Sequence, residues 1–142
     1  MHLAQALAGL GLLFAVGVIG FGARPTGSPV AILAVAVLGA LAFLALGYAL
    51  AALLPSSRST LVVGNLLAMP MLFLSGATAP LEVMPQAVRD VAAFNPLLHA
   101  VTLLRGAWNG EPWSGLVISA AAVFALFAAA SALAVVRFRW EA

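Results

Sequence analysis

The chain has 142 residues, of which 65% are hydrophobic and 7% charged, and its formal net charge is +2. A soluble domain carries about 25% charged and about 45–50% apolar residues, and a chain this small leaves much of its surface uncovered, so the composition excludes an ordinary soluble fold and points to lipid. It contains no cysteine, which excludes a disulfide framework, a thiolate nucleophile and a cysteine metal site, and so small a net charge gives no basic stripe for nucleic acid.

A spanning helix needs roughly 20 mostly apolar residues. The first such stretch runs over about 3–23, with Gln5 as its one strongly polar side chain. Nothing basic precedes Leu3 and the apolar run is long, so the segment is read as a span rather than a cleaved signal peptide. Arg24-Pro25-Thr26-Gly27-Ser28-Pro29 breaks it, and a second, uncharged stretch follows over about 30–54. Small residues recur one turn apart at Ala4 and Ala8, Gly11 and Ala15, Ala36 and Ala40, and Gly47 and Ala51. Such pairs permit close helix approach in lipid, and an alanine-rich composition also yields them by chance.

After Pro55-Ser56-Ser57-Arg58-Ser59, a shorter third stretch covers about 60–76 and contains Asn65 and Pro70. Pro70 removes one helical hydrogen bond and predicts a kink. Asn65 either lines a polar path or bridges to a neighbouring helix.

Residues 77–112 hold Glu82, Arg89, Asp90, His99, Arg105 and Glu111. Each Arg or Asp at the bilayer centre costs about 2.5–3.5 kcal/mol, so this segment is not read as a span. Pro85 suits a first helical turn, Ala87, Val91 and Phe94 follow at helical spacing, and Asn95-Pro96 breaks the run. Beyond it, Leu97, Val101, Leu104 and Trp108 share one face, and His99, Thr102 and Asn109 the other. The reading is a pair of short amphipathic re-entrant or interfacial helices over about 83–108. Arg105 and Trp108 suit the headgroup level. A last span covers about 113–136.

The fold class is therefore an all-α integral membrane protein, a single transmembrane domain of about four spans plus this pair. Basic residues tie between the two sides. The tail Arg137-Phe138-Arg139-Trp140 is the densest basic cluster at a boundary, which places both termini in the cytoplasm. No phosphate-binding loop or nucleophile elbow is present, and no acid lies within a span, against proton coupling. Ser75 and His99 as an isolated dyad carry little weight.

Gly64-Asn65-Leu66-Leu67-Ala68-Met69-Pro70-Met71-Leu72-Phe73-Leu74-Ser75-Gly76 leads to Pro80, Met84-Pro85, Phe94-Asn95-Pro96-Leu97 and Leu104-Arg105-Gly106. This order resembles the carboxy-terminal half of type 2 ABC exporter permeases, among them daunorubicin-resistance-type drug exporters, with Met84-Pro85 where the family pattern has Leu-Pro. The resemblance implies a plasma-membrane permease subunit without catalysis of its own, exporting an amphipathic drug, antibiotic or lipid-like molecule. It implies a second permease copy as partner, homo- or heterodimeric, and ABC ATPase subunits that hold ATP and Mg, with membrane lipid around them and no cofactor or nucleic acid on this chain. The motif positions Pro70, Ser75, Gly76, Pro80, Pro85, Asn95, Pro96 and Arg105 then act structurally, and Tyr48, Asn65, Met69 and Phe73 are candidate pathway-lining groups. The family has six spans, so the first two spans and the ATPase-coupling helix are expected to be missing here. The alternative is a stand-alone four-helix membrane scaffold; an intramembrane enzyme would need polar groups beyond Gln5, Tyr48, Asn65, Ser119 and Ser131.

Overall fold

A computed structural model describes residues 1–137, all of it helix, turn and coil. The basic tail beyond Arg137 lies outside the described residues. Helix α1 runs His2–Ala15 and continues as a π turn over Val16–Gly20; α2 is Pro29–Leu53, α3 Ser57–Phe73, α4 Gln86–Ala92, α5 Pro96–Asn109 and α6 Val117–Arg137. Among the described residues, three helices are long and apolar enough to cross a membrane: His2–Gly20, Pro29–Leu53 and Val117–Arg137. The all-helical membrane class expected from composition is thus the class observed. Helix α3 has 17 residues, about 25 Å at 1.5 Å per residue, against the roughly 30 Å of hydrocarbon.

Local chemistry sets the boundaries. Pro29 opens α2 at a first-turn position, where its missing N–H does no harm. At the start of α3 the Ser56 Oγ accepts from Ser59 N (3.1 Å) and the Ser59 Oγ accepts from Ser56 N (3.2 Å), a reciprocal cap that satisfies two orphan donors. Gly110, in the left-handed region at φ 68°, ends α5.

The core lies between α2 and α6 under a lid of α5. Ile32, Val35, Ala42, Leu103, Ala107, Leu116 and Val123 form one buried cluster, and Ala45, Ala49 and Ala130 a second. Val35, Ala42 and Ala49 recur every seven residues, as do Leu116, Val123 and Ala130, the repeat that keeps one seam between two helices. The small-residue pairs singled out by sequence are elsewhere: a Cβ on Gly11 or Gly47 would meet nothing within 4 Å. Helices α1 and α3 bury no residue at all. Their apolar surface is left for lipid or for other helices.

On α5 the buried stripe is Leu103, Gly106 and Ala107, rotated from the expected Leu97–Val101–Leu104–Trp108 face. Leu104 and Trp108 are half-buried at the cluster's margin. On α4 the expected apolar face also moves. Ala92 is buried, while Val91 and Phe94 are 61% and 89% exposed.

Candidate functional site

Helix α5 lies across one end of the bundle, and its bonds mark its path. Pro70, inside α3, leaves the Leu66 carbonyl without its helical donor. One turn later the helix stops, and its last carbonyls need other donors. Leu72 O accepts from Ser75 Oγ (2.7 Å), Ser75 N (3.3 Å) and Thr78 Oγ1 (3.4 Å). Met71 O accepts from the Asn95 side-chain amide at 2.7 Å. The same Asn95 turns its Oδ1 to Leu97 N (3.0 Å) as the cap of α5, ahead of Pro96. One amide thus closes the C-terminus of α3 and the N-terminus of α5, and it is only 7% exposed.

The chain then passes Gly76 at φ 75°, a conformation that costs other residues about 1–2 kcal/mol. The Gly76 carbonyl accepts from Arg105 Nη2 at 3.2 Å. The motif positions Pro70, Ser75, Gly76, Asn95, Pro96 and Arg105 therefore meet in one hydrogen-bonded corner. Pro80 and Pro85 stand just ahead of the short Leu81–Val83 turn and of α4, and their carbonyls accept from Val83 N (3.4 Å) and Arg89 N (3.1 Å).

Two further anchors were not read from sequence as bonds. His99 sits between the Ala93 carbonyl (2.9 Å from Nε2) and the Ser119 hydroxyl (3.2 Å from Nδ1). A carbonyl only accepts, which assigns a proton to Nε2; in the neutral ring Nδ1 then accepts from Ser119. At the other end of α5, Trp108 O accepts from Thr26 N (3.0 Å) and Gly27 N (2.9 Å) of the α1–α2 linker. The Trp108 ring meets Phe14 edge-on, 5.3 Å between centroids. Among the described residues, every hydrogen bond between residues far apart in sequence runs to α5 or its Asn95 cap. Helix α5 ties together α3, α6 and the α1–α2 linker. Pro25-Thr26-Gly27 was legible as a turn, but nothing local told what it would cap.

The pathway candidates divide. Asn65, Met69 and Phe73, four residues apart, line one exposed side of α3, with Met69 68% and Phe73 64% exposed. Tyr48 lies apart from them. It borders a groove of about 610 Å³ with His2, Leu44, Phe127 and Ser131. A second, apolar groove of about 480 Å³ runs between α1, α2 and α5, walled by Phe14, Ile32, Leu104 and Trp108. Ser75 and His99 form no dyad, because each is held by a different partner. The described residues contain no cluster of three or more His, Asp or Glu that could hold a metal ion.

Comparison with known proteins adds a family. The model of the ABC-2 type transporter family matches residues 3–108. Nodulation protein J of Sinorhizobium fredii is 33% identical over 122 residues, which is 84% of this chain and 46% of that protein. Nodulation protein J of Rhizobium leguminosarum bv. viciae is 43% identical over 72 residues, 51% of this chain and 28% of that protein. The chain therefore aligns with less than half the length of these curated relatives. No solved structure matches it.

Proposed function

Since the chain belongs to the ABC-2 type transporter family, we propose that it serves as a permease subunit, or the carboxy-terminal portion of one, in an ATP-driven exporter. The supporting observation is the family match over 3–108 together with the single hydrogen-bonded corner into which the family-like residues fold. Long apolar helices supply the membrane-crossing wall. ATP and Mg belong to separate ATPase subunits, and a second permease copy completes the pathway.

In this reading α3 crosses the membrane as a fourth, short span, both termini are cytoplasmic, and α4–α5 lie on the outer face. The substrate class is an amphipathic drug, antibiotic or lipid-like molecule. The relatives' shared name associates that branch with nodulation, which makes a molecule secreted by a plant-associated bacterium one member of the class to assay. The exposed Asn65–Met69–Phe73 side of α3 offers an amide, a thioether and a ring to such a molecule.

The test is co-purification of the tagged chain from its native host's membranes in mild detergent. A stoichiometric ATPase supports the permease reading. Recovery of the chain only with itself, in a stable defined oligomer, would favour a four-helix scaffold and rule out a permease subunit able to dock an ATPase by itself.

A further inference from the structure

Where α3 ends, residues 76–80 together with Glu82 and Arg105 line a hollow of about 170 Å³. Arg105 gives one bond to the Gly76 carbonyl, which leaves most of its five-donor fork open. The N–H groups of Thr78 and Ala79 have no partner among the described residues. Glu82 borders the same hollow, yet no hydrogen bond or ion pair joins it to Arg105 among those residues. A cation and an anion with no ion-pair partner among the described residues therefore share one small space.

In the membrane arrangement proposed above, on which this inference rests, the hollow also stands at a bilayer surface. Gly106, next to Arg105, packs on Leu116 at the start of α6, and Trp113, half-exposed, precedes it. Tryptophan is enriched at membrane–water boundaries. Val83, just past the hollow in sequence, is 77% exposed, an apolar surface suited to acyl chain.

We propose that this hollow binds the zwitterionic headgroup of phosphatidylethanolamine. The phosphate diester faces Arg105 and the Thr78 and Ala79 N–H groups, and the ammonium two carbons away faces Glu82. Planar guanidinium forks and backbone N–H groups match phosphate oxygens. Glu82 disfavours an anionic headgroup, and a carboxylate takes hydrogen bonds from a primary ammonium that a quaternary choline nitrogen lacks. Soluble phosphoethanolamine carries the same two charges without acyl chains, so lipid and free headgroup are separated by experiment.

The chain purified in mild detergent is offered equal phosphatidylethanolamine, phosphatidylcholine and phosphatidylglycerol, and retained lipid is counted by native mass spectrometry. The wild type should retain phosphatidylethanolamine over both others by up to about fivefold, the equivalent of about 1 kcal/mol for a solvent-facing ion pair. Glu82→Gln, which breaks no hydrogen bond or ion pair among the described residues, should abolish that preference. Arg105→Gln should lower retention of all three. Displacement by O-phosphoethanolamine shows that the headgroup alone suffices, and preference without displacement shows that the membrane lipid is the ligand. Equal retention of the three lipids by wild type, or an undiminished preference in Glu82→Gln, overturns the proposal.

Discussion

Asn95 bonds to two helices with one side chain, and its two roles can be separated by substitution. Serine caps a helix nearly as well as asparagine but is too short to reach Met71 O. Asn95→Ser should therefore keep the α5 cap and leave a helix-end carbonyl unpaired, at about 1–3 kcal/mol. Asn95→Ala should cost about 1 kcal/mol more for the lost cap. Thermal unfolding in detergent reads both, and an Asn95→Ser chain as stable as wild type would refute the bridge. Because the corner joins α3 to α5, Asn95→Ala and Pro96→Ala are expected to lower membrane abundance before they alter substrate choice; normal abundance with changed selectivity would contradict this. At Gly27 the argument is steric. An added Cβ would stand 1.7 Å from the Ala107 carbonyl oxygen and 2.9 Å from its carbon, both backbone atoms that have no rotamer to give. Gly27→Ala should lift the linker from α5, strip Trp108 O of its donors and destabilise the fold by about 2 kcal/mol or more. Gly47→Ala, in open space on α2, should be neutral or stabilising by up to about 1 kcal/mol. Equal stability of the two variants would remove the linker from the account of α5.

Helix α5 meets α6 through a glycine. A Cβ on Gly106 would come within 2.7 Å of both Cδ atoms of Leu116, a side chain only 2% exposed. Overpacking of this kind costs about 1–3 kcal/mol. Leu116→Ala alone should cost about 2–5 kcal/mol through its cavity. In the double variant the added methyl occupies space the leucine vacates, so the losses should fall short of their sum by about 1 kcal/mol. Strict additivity in the unfolding cycle would mean that α5 and α6 are not in contact there. The same contact shows why sequence named the pair of short helices but missed the face α5 buries. Periodicity weighs residues by apolar size, and Leu97, Val101, Leu104 and Trp108 outweigh a stripe containing Gly106 and Ala107. Packing selected the smaller stripe because α5 must approach two helices closely. The α2–α6 seam was missed for a related reason. Ala42, Ala45 and Ala49 are not distinguishable from other alanines in a helix apolar on all sides, and only the facing α6 residues single them out. The Asn95–Pro96 corner was legible because proline acts locally on the backbone. Its bond to Met71, like that of His99 to Ser119, exists only after tertiary packing.

At the scale of the whole molecule the distribution of burial is lopsided. Helices α2, α5 and α6 build the core, while α1 and α3 bury nothing, and α3 is fixed mainly at its far end by Asn95 and Arg105. Lipid tails are as apolar as leucine and give no hydrophobic drive for helices to associate, so an exposed apolar side in a membrane is compatible with lipid or with another helix. The second permease copy in the proposed transporter supplies such helices, and the amide of Asn65 on that side gives them a hydrogen-bonding group, worth about 0.6–2 kcal/mol between helices in a bilayer. Because the chain has no cysteine of its own, introduced thiols report without background. Met69→Cys and Phe73→Cys, both on the exposed side of α3, should cross-link copy to copy under mild oxidation in native membranes. Val123→Cys, 1% exposed in the α2–α6 core, should not. Cross-linking through α3 would place its polar side between two copies, where a transported molecule would pass. If the ATPase-bound assembly forms normally and neither α3 thiol pairs, α3 faces lipid, and Asn65, Met69 and Phe73 lose their claim to line a pathway.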